Sequence, residues 1–236
     1  MKKLLLIATS LAALFLAQGA KAQTNVQVFY DFGSERQYVT TTLEGFYGDN
    51  WGDTFFFADL YYSNRQNTYG ASNGCYFEVE RGINFWKDSS LKDLSLHLEY
   101  DGATWGSSIF ALGAKYCFHS DDFSKMFTIY AMYDWMFGQE ADAPVKITGV
   151  WSWGNLFGVN GLTFKGFFDF WGLNNTWGLD DKTTFSFLTE PQIWYNVGQH
   201  FGMQQLDLGC EIEISNNFAG HKGFMCNPCA GIRWTF

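Results

Sequence analysis

The sequence predicts an all-β protein, a transmembrane antiparallel β-barrel of about twelve strands that follows a cleaved signal peptide. Three observations support this prediction. A basic and apolar leader precedes the first strand. Aromatic residues make up 20% of the chain, with 25 Phe, 12 Tyr and 10 Trp, which is more than a soluble core would bury. Short segments then alternate apolar and polar residues, as strands between lipid and a lumen do.

The leader has the three parts of a secretory signal. Lys2 and Lys3 precede an apolar run over residues 4–17, and Ala20 and Ala22 place small residues where a signal peptidase reads them. A membrane anchor is the alternative, but the run is shorter than the ~20 residues that a spanning helix needs. We therefore expect residues 1–22 to be a signal peptide and residues 23–236 to be one barrel domain.

The chain is acidic. Its formal charge is −9, and removal of Lys2, Lys3 and Lys21 with the leader would reduce the basic residues from 15 to 12 against 24 acidic ones, giving −12. Such a balance argues against nucleic acid as a partner and favours neutral or cationic solutes over anionic ones.

The segment from Thr40 to Tyr62 shows the pattern most clearly as a hairpin. Two runs rich in Thr, Phe, Tyr and Leu flank the polar cluster Gly48-Asp49-Asn50-Trp51-Gly52-Asp53. One face of each run is apolar, whereas the other mixes carboxylates with aromatic rings. A half-buried hairpin of a soluble protein is the alternative, but this combination suits a strand pair between lipid and a water-filled lumen.

The remaining segments follow in order and bring the count to twelve. The cleanest alternation is LSLHLEYD, where leucines at 94, 96 and 98 oppose Ser95, His97 and Glu99. Pro191 and Pro228 fall within the tenth and twelfth segments, and proline lacks the donor that a ladder uses, so ten or fourteen strands also fit. The predicted strands cover about 25–33, 40–47, 54–62, 75–82, 94–101, 108–116, 127–135, 145–153, 162–171, 184–196, 206–215 and the segment after Met225.

An even count places both termini on the periplasmic side. The outer loops would then include NRQNTYGASNG, GQEADAP, GLNNTWGLDDK and SNNFAGHKG. The chain ends in an alternating strand with Phe236 as its last residue, which is typical of barrels that the outer-membrane assembly machinery recognises. We expect that machinery and outer-membrane lipid as partners, and the bacterial outer membrane as the location.

Five cysteines cannot all pair. Cys226 and Cys229 have the CxxC spacing of redox and metal sites, but residues three apart on a strand point to opposite faces. We interpret Cys75, Cys117, Cys210 and this pair as small apolar residues, and we expect no metal and no cofactor; a redox or metal role for the pair is the alternative.

The chain resembles the nucleoside-specific channel-forming, Tsx-like family of outer-membrane barrels. The resemblance is carried by Phe32-Gly33, by Leu43-Glu44, Phe46, Asp49, Trp51, Asp53, Phe55, Phe57 and Ala58-Asp59, and by Phe77-Glu78-Val79-Glu80. Weaker similarities are Ala131, Tyr133 and Trp135, and Gly166, Phe167, Asp169 and Phe170-Trp171. The first hundred residues match well and the rest loosely. The resemblance implies a monomeric twelve-stranded barrel with a narrow channel for nucleosides.

The inward face carries the residue types that such a channel uses. Aromatic rings can stack on a flat base, and carboxylates can accept hydrogen bonds from ribose hydroxyls or amines. The predicted solute-binding lumen residues are Phe29, Asp31, Glu44, Phe46, Phe55, Phe57, Asp59, Tyr76, Glu78, Glu80, Glu99, Asp134, Lys165, Asp169 and Arg233.

We therefore expect passive uptake of small solutes, nucleosides first. Three alternatives remain open. The carboxylates could pair with Arg81, Lys115, Lys146, Lys165 and Arg233 and plug the barrel. The barrel could act as a receptor or structural protein without transport. An outer-membrane hydrolase would need a nucleophile and a base together, as Ser95, His97 and Glu99 could provide, or an aspartate with a rim histidine such as His221; we predict that the protein is not an enzyme.

Overall fold

The computed structural model describes residues 22–34, 36–62, 74–106, 108–138, 143–172 and 185–236. The predicted signal peptide, apart from Ala22, lies outside these residues, and so do most of three predicted outer loops. Cleavage after Ala22 therefore stays a prediction. None of the helices found within the described ranges is long and apolar enough to span a membrane.

The described chain is almost entirely antiparallel strand, with 3-10 turns at Leu156–Gly158 and Val197–His200. The strands are β1 Ala22–Asp31, β2 Val39–Asp49, β3 Gly52–Tyr62, β4 Cys75–Ile83, β5 Leu94–Ala103, β6 Ser108–His119, β7 Lys125–Met136, β8 Val145–Trp153, β9 Leu162–Gly172, β10 Phe185–Thr189, β11 Gln192–Tyr195, β12 Leu206–Phe218 and β13 His221–Thr235.

The sheet closes on itself. Successive strands pair with each other, and β13 pairs with both β12 and β1, for example Val28 with Ile232. Closure leaves no unpaired edge among the described strands, which is the condition for a sheet to cross a bilayer. Since β10 and β11 both pair with β9 and β12, they are two parts of one interrupted strand. The described chain thus forms a twelve-strand barrel, and the predicted count is confirmed.

The two prolines are accommodated differently. Pro191 lies in the break between β10 and β11, opposite Gly166 of β9, and the ladder resumes at Gln192 without a change of register. Pro228 remains inside β13, and its carbonyl accepts from the Phe32 amide. The N–H and C=O of a strand residue point to the same side, so the donor that Pro228 lacks would face β1 where the β1 ladder ends.

The faces of the barrel are the reverse of those of a soluble protein. On β5, Leu96 and Tyr100 are exposed on the outside, whereas His97, Glu99 and Asp101 are almost fully buried on the inside. The other strands repeat this arrangement, so the outer surface is apolar and aromatic. An apolar band around a closed barrel is in contact with lipid, and the protein is accordingly an outer-membrane barrel.

One predicted loop is instead a hairpin. SNNFAGHKG was expected to be an outer loop, but β12 continues to Phe218 and β13 begins at His221. Only Ala219 and Gly220 connect them, with φ of 50° and 78°, and a register shift follows Asn216. Asn217, also at positive φ, supplies the oxygen that accepts from the Gly223 amide, so local hydrogen bonding lets this short turn form.

Candidate solute-binding lumen

The sheet register arranges eight inward residues of β2 to β5, seven of them predicted lumen residues, in two rows. One row contains Glu44, Phe57, Glu78 and Asp101, each paired with the next across neighbouring strands, and the other contains Phe46, Phe55, Glu80 and Glu99. Because side chains alternate along each strand, all eight point inward. Aromatic rings and carboxylates are therefore interleaved on one wall of the barrel.

The rings of this wall are in contact. The centroids of Phe55 and Phe57 are 6.1 Å apart, and those of Phe57 and Tyr76 are 5.7 Å apart, both in tilted arrangements. Phe29 was predicted to join this aromatic strip, but the structure packs it edge-on against Trp194 at 5.6 Å. Phe46 is 45% exposed. The strip is thus formed mainly by β3 and β4.

Lys146 binds a group of acids inside the barrel. Its Nζ lies 2.5 Å from Glu99 Oε1, 3.8 Å from Asp101 Oδ2 and 3.9 Å from Asp169 Oδ2. Thr148 donates to Asp169, whereas Oδ1 of the buried Asp134 has no hydrogen-bond partner among the residues that the structure describes. The Lys146 ammonium therefore interacts with carboxylates on two separate strands, β5 and β9.

A second ion pair crosses the lumen. Lys165 Nζ on β9 lies 2.9 Å and 3.0 Å from the two oxygens of Glu44 on β2, and Asn25 also donates to Glu44 at 2.9 Å. The shorter path between these strands around the barrel passes β11, β12, β13 and β1. The two side chains, each about 20% exposed, therefore bridge opposite walls.

Two arginines pair with carboxylates near the ends of the barrel. Arg36, in the β1–β2 connection, donates to Glu213 at 2.6 Å and to Asp31 at 3.4 Å. Burial acts to lower the pKa of Arg36, but the charges of Glu213, Tyr38 and Asp31 and the hydrogen bond to Glu213 together raise that pKa above its ordinary value. Arg233 donates to Asp207 at 2.9 Å and lies 4.5 Å above the Trp194 ring.

Trp194 and Glu213 were not singled out from the sequence. Trp194 has no exposed surface and contacts Phe29 as well as Arg233. Both residues share the parity of the charged residues on their strands, and that parity is the signal that could have identified them. Arg36 gave no such signal, because it follows the end of β1.

Arg81 does not take part in the interior pairing that the plugged-barrel alternative assigned to it. Lys115, Lys146, Lys165 and Arg233 do pair with interior carboxylates, but Arg81 lies on the outward face of β4. There it binds Asp49 at 2.9 Å and Thr54 at 2.9 Å at the end of the barrel that carries both termini. Because Arg81 points outward, the interior lacks one of the cations that the plugged-barrel alternative assumed.

Carboxylates outnumber cations in the described part of the interior. The inward acids are Asp31, Glu44, Asp53, Asp59, Glu78, Glu80, Glu99, Asp101, Asp134, Asp169, Glu190, Asp207, Glu211 and Glu213, and the inward cations are Arg36, Lys115, Lys146, Lys165 and Arg233. The field inside the barrel is therefore negative.

The arrangement required for a hydrolase is not assembled at Ser95. His97 Nε2 faces the carboxylates of Glu99 and Glu80, and its Nδ1 has no hydrogen-bond partner among the described residues. Ser95 therefore has no hydrogen bond to the imidazole that would activate it.

Closed architecture, an apolar exterior and a charged interior define a porin-like barrel of the bacterial outer membrane. Solved structures of two such proteins are similar in fold. A NanC porin shares 14% identity, with 90% of this chain and 98% of that chain covered and a TM-score of 0.56. A KdgM porin in complex with disordered oligogalacturonate shares 9% identity, with 91% and 99% covered and a TM-score of 0.52.

The chain itself belongs to the family described as a domain of unknown function, DUF5020, whose model matches residues 22–236. No curated protein sequence matches it.

The five described cysteines are free thiols. Cys226 is exposed on the outer face and Cys229 is buried on the inner face, in agreement with the expectation that the two point apart. Their position on one strand excludes a disulfide between them in this fold.

Proposed function

We propose that this protein is an outer-membrane channel for passive uptake of small solutes, and that nucleosides are the preferred class. The interleaved rings and carboxylates of β2 to β5 carry the proposal. The tilted pair of Phe55 and Phe57, continued by Tyr76, offers ring faces to a flat base, and stacking contributes ~1–3 kcal/mol per base. Glu44 and Glu78, in register with Phe57, supply acceptors for hydroxyl and amino groups.

The negative interior supports neutral and cationic cargo. Oligogalacturonate, the ligand in the KdgM complex, is a chain of sugar acids and hence a polyanion. A lumen in which carboxylates exceed cations repels such a chain, so we propose a different substrate class for this protein despite the similar fold. Binding must also be weak enough for release, and a few ring contacts with the partly exposed carboxylates of Glu44 and Glu78 meet that requirement.

A barrel without conductance is the second candidate, and the Lys165–Glu44 bridge is the observation that favours it. A side-chain pair joining opposite walls divides the lumen at that level. A barrel closed in this way would serve as a surface receptor or as a structural protein. In either case we propose a monomer whose C-terminal strand, ending at Phe236, is recognised by the barrel-assembly machinery, and we assign it no catalytic role.

Single-channel recording tests the proposal. The refolded full chain is placed in a planar bilayer, and current is recorded with adenosine, thymidine or a sugar of similar size. We expect small steady openings that both nucleosides block and the sugar does not. No openings would refute the channel, whereas openings that sugar and nucleosides affect equally would refute nucleoside preference.

Neighbouring phenylalanines on β3 provide a matched pair of variants. Phe57 points inward, whereas Phe56 points outward and stacks on Tyr47 at 6.0 Å. We expect Phe57→Ala to weaken nucleoside block about tenfold, the equivalent of losing ~1.4 kcal/mol, with Phe56→Ala leaving block unchanged. Equal effects of the two substitutions would contradict stacking in the lumen.

A further inference from the structure

Glu80, His97 and Glu99 form a cluster inside the barrel, in which His97 has no part in the channel proposal. Glu80 lies on β4 and pairs with Glu99 of β5, and His97 is two residues before Glu99 on the same face. The three side chains are buried, His97 completely. One ligand atom from each residue lies within 4.8 Å of the other two.

Hydrogen bonding satisfies only one of the two contacts within this cluster, the one between His97 and Glu99. His97 Nε2 lies 3.3 Å from Glu99 Oε2 and 3.6 Å from Glu80 Oε2. An imidazole nitrogen carries at most one proton, so it can donate to only one of these two oxygens. Oε2 of Glu80, a side chain more than nine-tenths buried, accordingly has no hydrogen-bond partner within the described part of the chain. A buried carboxylate oxygen without a partner is costly, and this one is directed at the imidazole nitrogen.

The same distances fit ligands around a metal ion. Two ligands of a tetrahedral Zn²⁺, each about 2.1 Å from the metal, lie about 3.4 Å apart. The observed 3.3 Å and 3.6 Å match this separation, whereas ordinary N–H···O hydrogen bonds are about 2.7–3.2 Å long. An imidazole with carboxylates is a ligand set that first-row divalent ions accept.

The charge around the cluster is compatible with a cation. Lys146 occupies the other oxygen of Glu99, Oε1, and leaves Oε2 directed at His97. Glu78 and Asp101 add two nearby carboxylates, so the balance of charge favours a divalent ion.

The neighbours of the His97 ring leave this balance unchanged. The Tyr130 ring packs edge-on against the imidazole at 4.7 Å and brings no charge. A second ammonium, that of Lys115, lies beside Gly82 but pairs with Asp53. Acids therefore still exceed cations around the cluster.

We propose that Glu80, His97 and Glu99 bind a divalent first-row transition-metal ion, of which Zn²⁺ is the probe, inside the barrel. Glu80 Oε2, His97 Nε2 and Glu99 Oε2 are the ligand atoms, and the remaining positions are open to water or to a passing solute. The residues lie on two neighbouring strands, and only β4–β5 pairing brings Glu80 to the other two. The barrel thereby gains a metal site regardless of whether nucleosides pass through it.

Calorimetry on the refolded full chain, with any purification tag removed, tests the site. We expect one high-affinity Zn²⁺ per chain, with no competition from excess Mg²⁺, because Mg²⁺ prefers oxygen ligands and retains its water. Loss of a residue that only orients a metal ligand weakens binding about 10- to 100-fold. We therefore expect His97→Gln and Glu80→Gln each to weaken Zn²⁺ binding at least tenfold.

His200 provides the control, since it lies in the turn after β11 and its Nε2 contacts the Tyr195 hydroxyl. His200→Gln should bind Zn²⁺ as the unmodified protein does. X-ray absorption at the zinc edge should show one imidazole with oxygen ligands, a signature that a destabilised variant cannot imitate. Absence of Zn²⁺ binding by the folded barrel, or equal affinity in the folded Glu80→Gln variant, would overturn the site. Single-channel currents test the channel separately.

Discussion

Breaking the bridge between Lys165 and Glu44 has two measurable consequences. Lys165→Met keeps most of the side-chain volume and removes the charge. Glu44 then loses donors at 2.9 Å and 3.0 Å but keeps Asn25. Hydrogen bonds to charged groups contribute about 1.5–3 kcal/mol, and the retained partner limits the loss, so we expect the free energy of unfolding to fall by about 1.5–3 kcal/mol.

The substitution that lowers the free energy of unfolding should raise the ion current. Lys165→Met removes the ion pair that joins opposite walls and makes the interior more negative. It should therefore increase both conductance and cation preference. Glu44→Gln should increase conductance and decrease cation preference, because it removes a negative charge instead. Reversal potentials in a salt gradient measure this preference, and urea unfolding in lipid vesicles measures stability.

The double variant tests whether the two residues act as a pair. Replacing both partners removes the buried charge that either single change leaves behind, so Glu44→Gln with Lys165→Met should be more stable than the sum of the single effects predicts. Strict additivity, with conductance unchanged in all three variants, would refute a bridge across the lumen.

Three further predictions follow from contacts elsewhere in the barrel. Arg81→Ala should change the free energy of unfolding by less than about 1 kcal/mol, because its pair with Asp49 is exposed at the rim; a loss as large as that of Lys165→Met would contradict this. Gly209→Ala should destabilise the barrel by about 1–3 kcal/mol in urea unfolding, since its Cβ would clash with the Trp194 ring and with the Ile193 carbonyl oxygen; unchanged stability would contradict close packing at this position. Mass spectrometry of the alkylated, unreduced protein should find five modified thiols, and a disulfide-linked Cys226–Cys229 peptide would exclude the described register of β13.

Much of the fold could be predicted from the sequence because the strands of a closed barrel follow a simple local pattern of residues. Every strand must alternate between lipid and lumen, so a period of two, repeated with charges at one parity, specifies both the strands and their faces. The β5 segment shows this best, since its buried His97 and Glu99 and its exposed Leu96 all follow from alternation. The interruption at Pro191 follows equally from a local property, its missing donor.

The hairpin at Ala219 and Gly220 was not predicted from the sequence. Positive φ at Asn217 and Ala219 lets strand pairing extend into a polar segment there. Polarity alone indicated a loop there. Phe29 was placed on the inward face correctly, but its partner Trp194 belongs to a strand far along the chain. Closure through β13 brings the two together.

The sequence by itself determined the alternating strands, their inward acids and aromatic rings, and the strand at which the chain ends. Those features depend on chemistry repeated every two residues. Tertiary structure decided which charges meet, as with Lys165 and Glu44 across the lumen or Glu80 beside His97. Such pairings depend on the register between strands and on the curvature of the closed sheet, which bring together residues that no spacing along the chain relates.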